Sequence, residues 1–325
     1  MYSFTVNGKL VETEKEVSLL RFLRDDLKLK SIKDGCSQGA CGTCTIIIDG
    51  KATRACVMTT KRAQGMNIVT VEGLNDEEKE IFVYAFGSKG AVQCGFCIPG
   101  MVMSGKALID KNPNPTEAEI KEAIKGNICR CTGYKKIIEA IDLVAQIRRG
   151  EKQVDKELEK GDKFGVGSNA FRIDVREKVL GYGEYCDDVE MDDMLHVSAV
   201  RSKYPRARIL DIDFSEALAM DGVVAVYTSE DVPNNKVGHL QQDWDVMIPK
   251  GEITRFVGDA ICLVVAKSED ILKKAKALVK VDYEVLEPVR NITEAMAKDA
   301  PNIHPNGNLC QSRHVRRGDT ETAIK

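Results

Sequence analysis

Eight of the eleven cysteines in this chain fall into two groups of four, and the two groups differ in spacing. The first group has the spacing C-x4-C-x2-C with a fourth member downstream: Cys36, Cys41, Cys44 and Cys56. The second is a C-x2-C pair followed much later by C-x-C: Cys94, Cys97, Cys129 and Cys131. Such groups can form disulfides, hold structural zinc or hold an iron–sulfur cluster, and each use implies a different class of protein.

Disulfides and zinc both fit the pattern poorly. The N-terminal residues show no basic segment followed by an apolar one that would direct export, and a chain of this length does not need disulfides for stability. Zinc sites usually combine two C-x2-C pairs or mix cysteine with histidine. Neither group consists of two such pairs, and all the histidines lie beyond both groups: His196, His239, His304 and His314.

An iron–sulfur cluster suits the first group on spacing alone, because C-x4-C-x2-C with a distant fourth cysteine is the plant-type 2Fe–2S pattern. The second spacing is not dictated by the chemistry of one metal, so zinc stays open there. Gly35, Gly39 and Gly42 let the first loop wrap closely and direct backbone N–H groups inward. The sequence therefore predicts a protein that transfers single electrons.

Composition places the chain among globular proteins and excludes several functions. Its 325 residues predict two or three domains, and 43% hydrophobic with 30% charged residues is an ordinary balance. No apolar run reaches the roughly 18 residues that cross a bilayer. The net charge of −3 gives no sign of nucleic-acid binding. Abundant thiols without an export signal predict a cytoplasmic location.

The spacing at which hydrophobic residues recur changes along the chain and divides it into segments. Residues 1–73 are predicted to form strands around one helix, Leu19 to Asp26, and residues 74–149 to form four helices with the second cysteine group in the turns between them. Residues 150–170 are predicted to be a charged linker. Residues 171–325 alternate strands and helices, and Cys262 is predicted to be a core residue of a strand.

Three stretches around the cysteines resemble the molybdenum hydroxylases, the family of xanthine dehydrogenase and aldehyde oxidoreductase. They begin at Gly35, Gln93 and Asn127, and the third reads N-I-C-R-C-T-G-Y. A looser resemblance to the start of that family's molybdenum-binding part covers 171–325. The resemblance implies a multidomain α+β protein: a β-grasp 2Fe–2S ferredoxin-like domain, a four-helix 2Fe–2S-binding domain and a partial α/β hammerhead-like domain.

The resemblance also implies roles for single residues. Cys36, Cys41, Cys44 and Cys56 would bind the ferredoxin-like cluster, and Cys94, Cys97, Cys129 and Cys131 the helical-domain cluster. Gln93 and Cys131 would also approach the molybdopterin cofactor, although an exposed turn glutamine is an equally fair reading of Gln93. No catalytic residue is assigned, because the molybdenum domains that carry the catalytic glutamate in relatives have no match in this chain.

The implied function is the electron-transfer part of a molybdenum-dependent oxidoreductase that we expect to be xanthine dehydrogenase-like. Electrons would pass from molybdenum through both clusters to a flavin or external acceptor. Any FAD would lie on a separate subunit, and the partners would be a molybdenum-binding domain or subunit, with a homodimer possible for the full enzyme. An aldehyde oxidoreductase-type member and a stand-alone 2Fe–2S carrier are the alternatives. The chain alone is not expected to hydroxylate a substrate.

Overall fold

The protein is described by a computed structural model covering residues 1–155, 166, 171–239 and 241–325. The chain divides into two compact units, Met1–Val189 and Glu190–Lys325. The predicted linker, 150–170, lies mostly outside the described residues. Among the described helices, none has both the length and the apolar character needed to cross a membrane.

The first unit begins with a mixed five-stranded sheet of order β2-β1-β5-β3-β4. The strands are β1 (Tyr2–Val6), β2 (Lys9–Thr13), β3 (Thr45–Ile48), β4 (Lys51–Arg54) and β5 (Asn67–Val69). β1 runs parallel to β5, and the other pairs are antiparallel. Asn7-Gly8 and Asp49-Gly50 both have positive φ, which is the geometry of the tight hairpin turns that join β1 to β2 and β3 to β4.

The predicted helix of this sheet domain is only partly α-helical. α1 covers Leu19–Arg21, and Phe22–Asp26 continues as a π-helical turn in which the Leu27 N–H bonds the Phe22 carbonyl. The helix still buries Leu19, Leu20, Phe22 and Leu23 against the sheet. Ser18 stands at the N-cap, but its side chain makes no capping hydrogen bond. The sequence predicted a helix over these residues and missed the wider turn.

The helical part consists of α2 (Asp76–Ser88), α3 (Ile98–Lys111), α4 (Glu117–Ile124) and α5 (Lys135–Arg148). Capping boxes open α2 and α4, formed by Asn75 with Glu78 and by Thr116 with Glu119. These helices share one apolar core. The turns before α3 and α5 carry the second cysteine group.

Residues 171–189 belong to this first unit, and they pack on the helical part. They contain α6 (Val175–Leu180), whose Val175 and Val179 lie in the helical core. Phe171 stacks on Tyr84, with ring centroids 6.4 Å apart. The domain boundaries predicted from sequence stay predictions, and this segment is spatially part of the iron–sulfur unit.

The second unit is mixed α+β. A three-stranded antiparallel sheet has the order β6 (His196–Arg201), β11 (Ala260–Ala266), β8 (Val223–Tyr227), and β7 (Ala207–Asp213) pairs with β12 (Lys280–Val285). Short strands β9 (Lys236–Val237) and β10 (Trp244–Asp245) pair with each other. The helices are α7 (Ser215–Leu218), α8 (Glu269–Leu278), α9 (Ile292–Met296) and α10 (Thr320–Ile324). Cys262 is fully buried in β11, as predicted.

Candidate iron–sulfur sites

The first cysteine group lies in the loop between the π-helical turn and β3, with Cys56 on a 3-10 turn, Ala55–Val57. Backbone N–H groups point at its sulfurs: those of Gln38 and Cys41 lie 3.4 Å from the Cys36 Sγ. The Gly39 N–H lies 3.2 Å from the Cys56 Sγ. Hydrogen bonds of this kind stabilise thiolates and the cluster that thiolates hold. The glycine-rich loop therefore provides donors as its sequence predicts.

The second cysteine group is built from two turns that precede helices. Cys94 and Cys97 lead into α3, and Cys129 and Cys131 lead into α5. The Cys129 N–H donates to the Tyr134 hydroxyl at 2.8 Å, and the Cys129 Sγ lies 3.1 Å from the Thr132 Oγ1. The turn bends back on itself through Gly133 and Tyr134, both with positive φ. These contacts fix the shape of the turn that carries the C-x-C pair.

Within each group the thiols are arranged in two pairs. Cys36 contacts Cys41 and Cys44 contacts Cys56. In the second group Cys97 contacts Cys129, and the Cys94 and Cys131 sulfurs lie 3.7 Å apart. All eight are free thiols. Two pairs of thiols match two irons with two terminal ligands each.

Over the described part of the chain, no three Cys, His, Asp or Glu side chains are grouped to hold one metal ion. The paired thiols suit a two-iron cluster in both groups, and the assignment of the eight ligands stays a prediction.

The thiols differ in their surroundings. Burial raises the pKa of the Cys44 thiol to about 12 and also raises the pKa of Cys97. Hydrogen bonds from Gln38 and Cys41 lower the pKa of Cys36 to about 7. Cys94 and Cys131 are exposed. Each group thus has one buried thiol, and the second group also has two exposed thiols.

A buried polar contact joins the two cysteine loops. The Ile128 N–H donates to the Cys41 carbonyl at 2.8 Å. The Asn127 amide donates to the Gly42 carbonyl at 2.8 Å and accepts from the Ser104 hydroxyl at 2.8 Å. Gly42 has φ +72°, and a Cβ there would lie 2.3 Å from the Gly126 carbonyl oxygen. Only glycine allows this approach.

A buried charged group lies beside these loops and was missed by the sequence reasoning. The Lys33 side chain is 2% exposed, and its ammonium lies 3.5 Å from the Asp188 carboxylate. Arg24 binds the other oxygen of Asp188 at 2.8 Å. Nothing in the sequence separates this lysine from the other lysines and arginines, 47 in all, because its burial depends on residues 181–189.

Tyr185 lies between this charged group and the second cysteine group. The Lys33 ammonium lies 4.9 Å from the centroid of its ring, and its hydroxyl donates to the Cys94 carbonyl at 2.8 Å. Burial, with the nearby thiols of Cys94 and Cys97, raises the pKa of Tyr185 to about 12. The phenol therefore stays neutral and acts as a hydrogen-bond donor.

Gln93, the predicted cofactor contact, is exposed at the start of the Cys94 turn. Cys131, the other predicted contact, is exposed as well, and its sulfur touches that of Cys94. The two residues thus lie near each other on a surface edge of the second group. Their contact with a cofactor stays a prediction.

Comparison with known protein families places three matches along the chain. Residues 2–82 match the 2Fe-2S iron-sulfur cluster binding domain, and residues 70–142 match the [2Fe-2S] binding domain. Residues 180–287 match the a/b hammerhead domain of aldehyde oxidase and xanthine dehydrogenase. The predicted fold class, the two 2Fe–2S clusters and the electron-transfer role are confirmed.

Matches to individual proteins support the family matches. The chain is 38% identical over 320 residues to the aldehyde oxidoreductase of Megalodesulfovibrio gigas, covering 93% of this chain and 35% of that protein. It is 45% identical over 142 residues to the nicotinate dehydrogenase small FeS subunit of Eubacterium barkeri, covering 43% of this chain and 90% of that subunit.

A solved structure gives the same result. The crystal structure of the aldehyde oxidoreductase from Desulfovibrio desulfuricans ATCC 27774 matches with a TM-score of 0.82 at 33% identity, over 94% of this chain and 36% of that one. This chain thus spans about a third of the length of the aldehyde oxidoreductases it matches. The chain belongs to the molybdenum hydroxylase family that includes aldehyde oxidoreductase and xanthine dehydrogenase.

Proposed function

We propose that this chain carries electrons inside a molybdenum hydroxylase whose iron–sulfur and hammerhead domains share one polypeptide. The observation that supports this most strongly is that two groups of paired thiols lie in one compact unit and are joined by the Ile128–Cys41 hydrogen bond. A bound 2Fe–2S cluster supplies one-electron redox chemistry. The residues of this chain hold the clusters and set their spacing.

We assign the ligands by the thiol pairs. Cys36, Cys41, Cys44 and Cys56 hold the ferredoxin-like cluster, and Cys94, Cys97, Cys129 and Cys131 hold the helical-domain cluster. The two-pair arrangement of each group supports the assignment, as do the N–H groups aimed at the sulfurs of Cys36 and Cys56. Cys186, Cys262 and Cys310 are left out, since none of them joins either group.

Surface exposure suggests a direction for the electrons. The edge with Gln93 and Cys131 is open, which suits an approach by the molybdenum cofactor of the complete enzyme. The loop at 37–40 is largely exposed beside the first group, which suits delivery to a flavin or another acceptor. Electrons would then enter at the helical-domain cluster and leave from the ferredoxin-like cluster.

For the complete enzyme we propose the family reaction, hydroxylation of a carbon next to nitrogen or oxygen. The order of domains along the chain matches the aldehyde oxidoreductases over 93% of its length, which supports an aldehyde oxidoreductase-type layout. The sequence led us to expect a xanthine dehydrogenase-like substrate choice with the aldehyde oxidoreductase type as the alternative, and both substrate classes are kept in the proposal. A separate FAD subunit, a homodimer of the full enzyme and a cytoplasmic location are part of the same proposal.

Iron content and electron paramagnetic resonance test the proposal. The purified protein should contain about four irons and four labile sulfides per chain and show two distinct 2Fe–2S signals after reduction. Zinc in place of iron, with no visible absorbance, would refute it. With the molybdenum-binding partner added, aldehyde and purine substrates are tested separately. We expect one of these two substrate classes to reduce both clusters. Reduction by unrelated redox proteins alone would instead favour a stand-alone carrier.

A further inference from the structure

The segment 181–189 packs against the Cys94–Cys97 turn and against residues 24–33, which precede the first cysteine loop. Gly181 packs on the backbone of Ser31, where a Cβ would lie 2.5 Å from the Ser31 Cα. Tyr185 packs edge-on against Phe96, inside the Cys94–Cys97 turn, with ring centroids 5.3 Å apart. The segment therefore excludes water from the region where Lys33 lies.

The charges in this covered region do not cancel. Asp188 is the one carboxylate bound to both Lys33 and Arg24, and its side chain is 5% exposed. Among the described side chains, the group of Lys33, Arg24 and Asp188 has two cations and one anion and so carries a net charge of +1. Charges that are removed from water act over longer distances than exposed ones, because neither solvent nor salt screens them well.

Lys33 is connected to both cysteine groups. Its carbonyl accepts from the Thr43 hydroxyl at 3.0 Å, and that hydroxyl lies 3.2 Å from the Cys41 sulfur. Its ammonium faces the Tyr185 ring, whose hydroxyl bonds the Cys94 carbonyl. The charged end thus points toward the second group, with one aromatic ring between them.

We propose that the buried group of Lys33, Asp188 and Arg24 raises the reduction potential of the helical-domain cluster, with Tyr185 as the positioning residue that fixes its distance from the Cys94 turn. A reduced cluster carries one more negative charge than an oxidised one, so a net positive neighbour favours reduction. Raising this potential makes the helical-domain cluster a better acceptor. This inference rests on the proposed function, since it needs clusters at these cysteines.

Lys33→Met tests the charge directly, with Lys30→Met as the matched control. Lys30 lies three residues away, but its side chain is 42% exposed and pairs with exposed Glu184 at 3.4 Å. Both substitutions remove one positive charge. Redox titrations of the whole protein, followed by paramagnetic resonance, give the potential of each cluster, and a Cys129→Ser variant identifies the helical-domain signal.

The expected results are specific in sign. Lys33→Met should lower the reduction equilibrium constant of the helical-domain cluster about tenfold, which is 59 mV for a one-electron couple. Lys30→Met should change it less than about twofold, because an exposed charge is screened. The double variant Lys33→Met/Asp188→Asn removes one charge of each sign and should return the potential toward that of the parent protein.

Several results would overturn the inference. One is an unchanged potential in Lys33→Met with parental iron content. Another is a double variant shifted as far as Lys33→Met. Lys33→Gln is a second neutral variant in case methionine packs badly. If both neutral variants lose iron and the double variant does not restore it, Lys33 serves packing and not charge. A parent protein without clusters would instead refute the proposed function.

Discussion

The Ile128 N–H donates a hydrogen bond of 2.8 Å to the Cys41 carbonyl, and this bond joins the two cysteine loops beside the Asn127–Gly42 contact. Cys41 is a member of the first group, and Ile128 directly precedes Cys129 of the second. A route between the proposed clusters therefore runs through two ligand residues, Cys41 and Cys129, with one hydrogen bond and residue Ile128 between them. The Ile128 side chain is 55% exposed, so the contribution of this residue lies in its backbone.

Ile128→Pro should slow electron transfer between the clusters, because proline has no N–H to donate to Cys41. The lost hydrogen bond should also cost about 1 kcal/mol of stability. Ile128→Ala is the control, since it keeps the N–H and removes an exposed side chain. Stopped-flow reduction resolves the two clusters in time. Equal transfer rates in both variants, at parental iron content, would exclude this route.

Gly42→Ala should destabilise the first unit strongly. The new Cβ would lie 2.3 Å from the Gly126 carbonyl oxygen, which is backbone and cannot rotate away, and φ at this position is +72°. Gly50→Ala is the matched control, because φ there is +78° with nothing within 4 Å of the Cβ. We expect a cost of about 1 kcal/mol for Gly50→Ala, from backbone strain alone, and at least about 2 kcal/mol more for Gly42→Ala. Urea unfolding measures both, and equal losses would contradict the close contact.

Asn127→Ala should cost about 2 to 3 kcal/mol of unfolding free energy. The substitution leaves the buried Thr45 and Ser104 hydroxyls and the Gly42 carbonyl without their amide partner. Asn114→Ala, at an exposed turn, is the control and should change stability by less than about 0.5 kcal/mol. Chemical denaturation of the two variants distinguishes them. A loss below 1 kcal/mol for Asn127→Ala would mean that water replaces the amide.

Cys44→Ser should remove one cluster and leave the other, lowering iron from about four to about two per chain. Cys44 is 2% exposed and is paired with Cys56. Cys262→Ser is the control, because Cys262 is equally buried but lies in β11, outside both groups. Iron analysis measures the iron content, and paramagnetic resonance shows which cluster is lost. If Cys44→Ser keeps the iron content of the parent protein, Cys44 is not a cluster ligand.

Asp174→Asn should destabilise the segment that covers the Cys94 turn. Hydrogen bonds from Arg172 and Lys178 hold the pKa of Asp174 at about 2, below its usual value. A depressed pKa means that the stabilisation is present above the unfolded pKa, near 4, and is lost as the pH falls toward about 2. Because the side chain is 24% exposed, we expect a contribution of about 1 kcal/mol.

The pH dependence of the unfolding free energy tests this prediction. The difference in unfolding free energy between Asp174→Asn and the parent should be the same at pH 7 and pH 5, because both relevant pKa values lie below that range. Asp192→Asn, at an exposed turn, serves as the control. A difference that grows between pH 5 and pH 7 would point to another titrating group.

Local features were readable from the sequence. The hairpin turns at Asn7-Gly8 and Asp49-Gly50 and both capping boxes involve residues within three positions of each other, so their chemistry is contained in short stretches. Strand β4 (Lys51–Arg54) was not predicted, because its polar residues show no apolar alternation and only pairing with β3 makes it a strand. Strand β7 (Ala207–Asp213) was not predicted either, and it pairs with a strand about 70 residues later in the chain.

The sequence by itself determined the two cysteine groups and the family, because ligand spacing and the motifs around it are properties of short segments. Only the tertiary structure decided how the groups are joined and which charges lie beside them. Asn127 meets Gly42 across 85 positions of sequence, and Lys33 meets Gly183 across 150. Burial of these groups is created by chain segments that no local pattern relates, so their roles became visible only after the chain had folded.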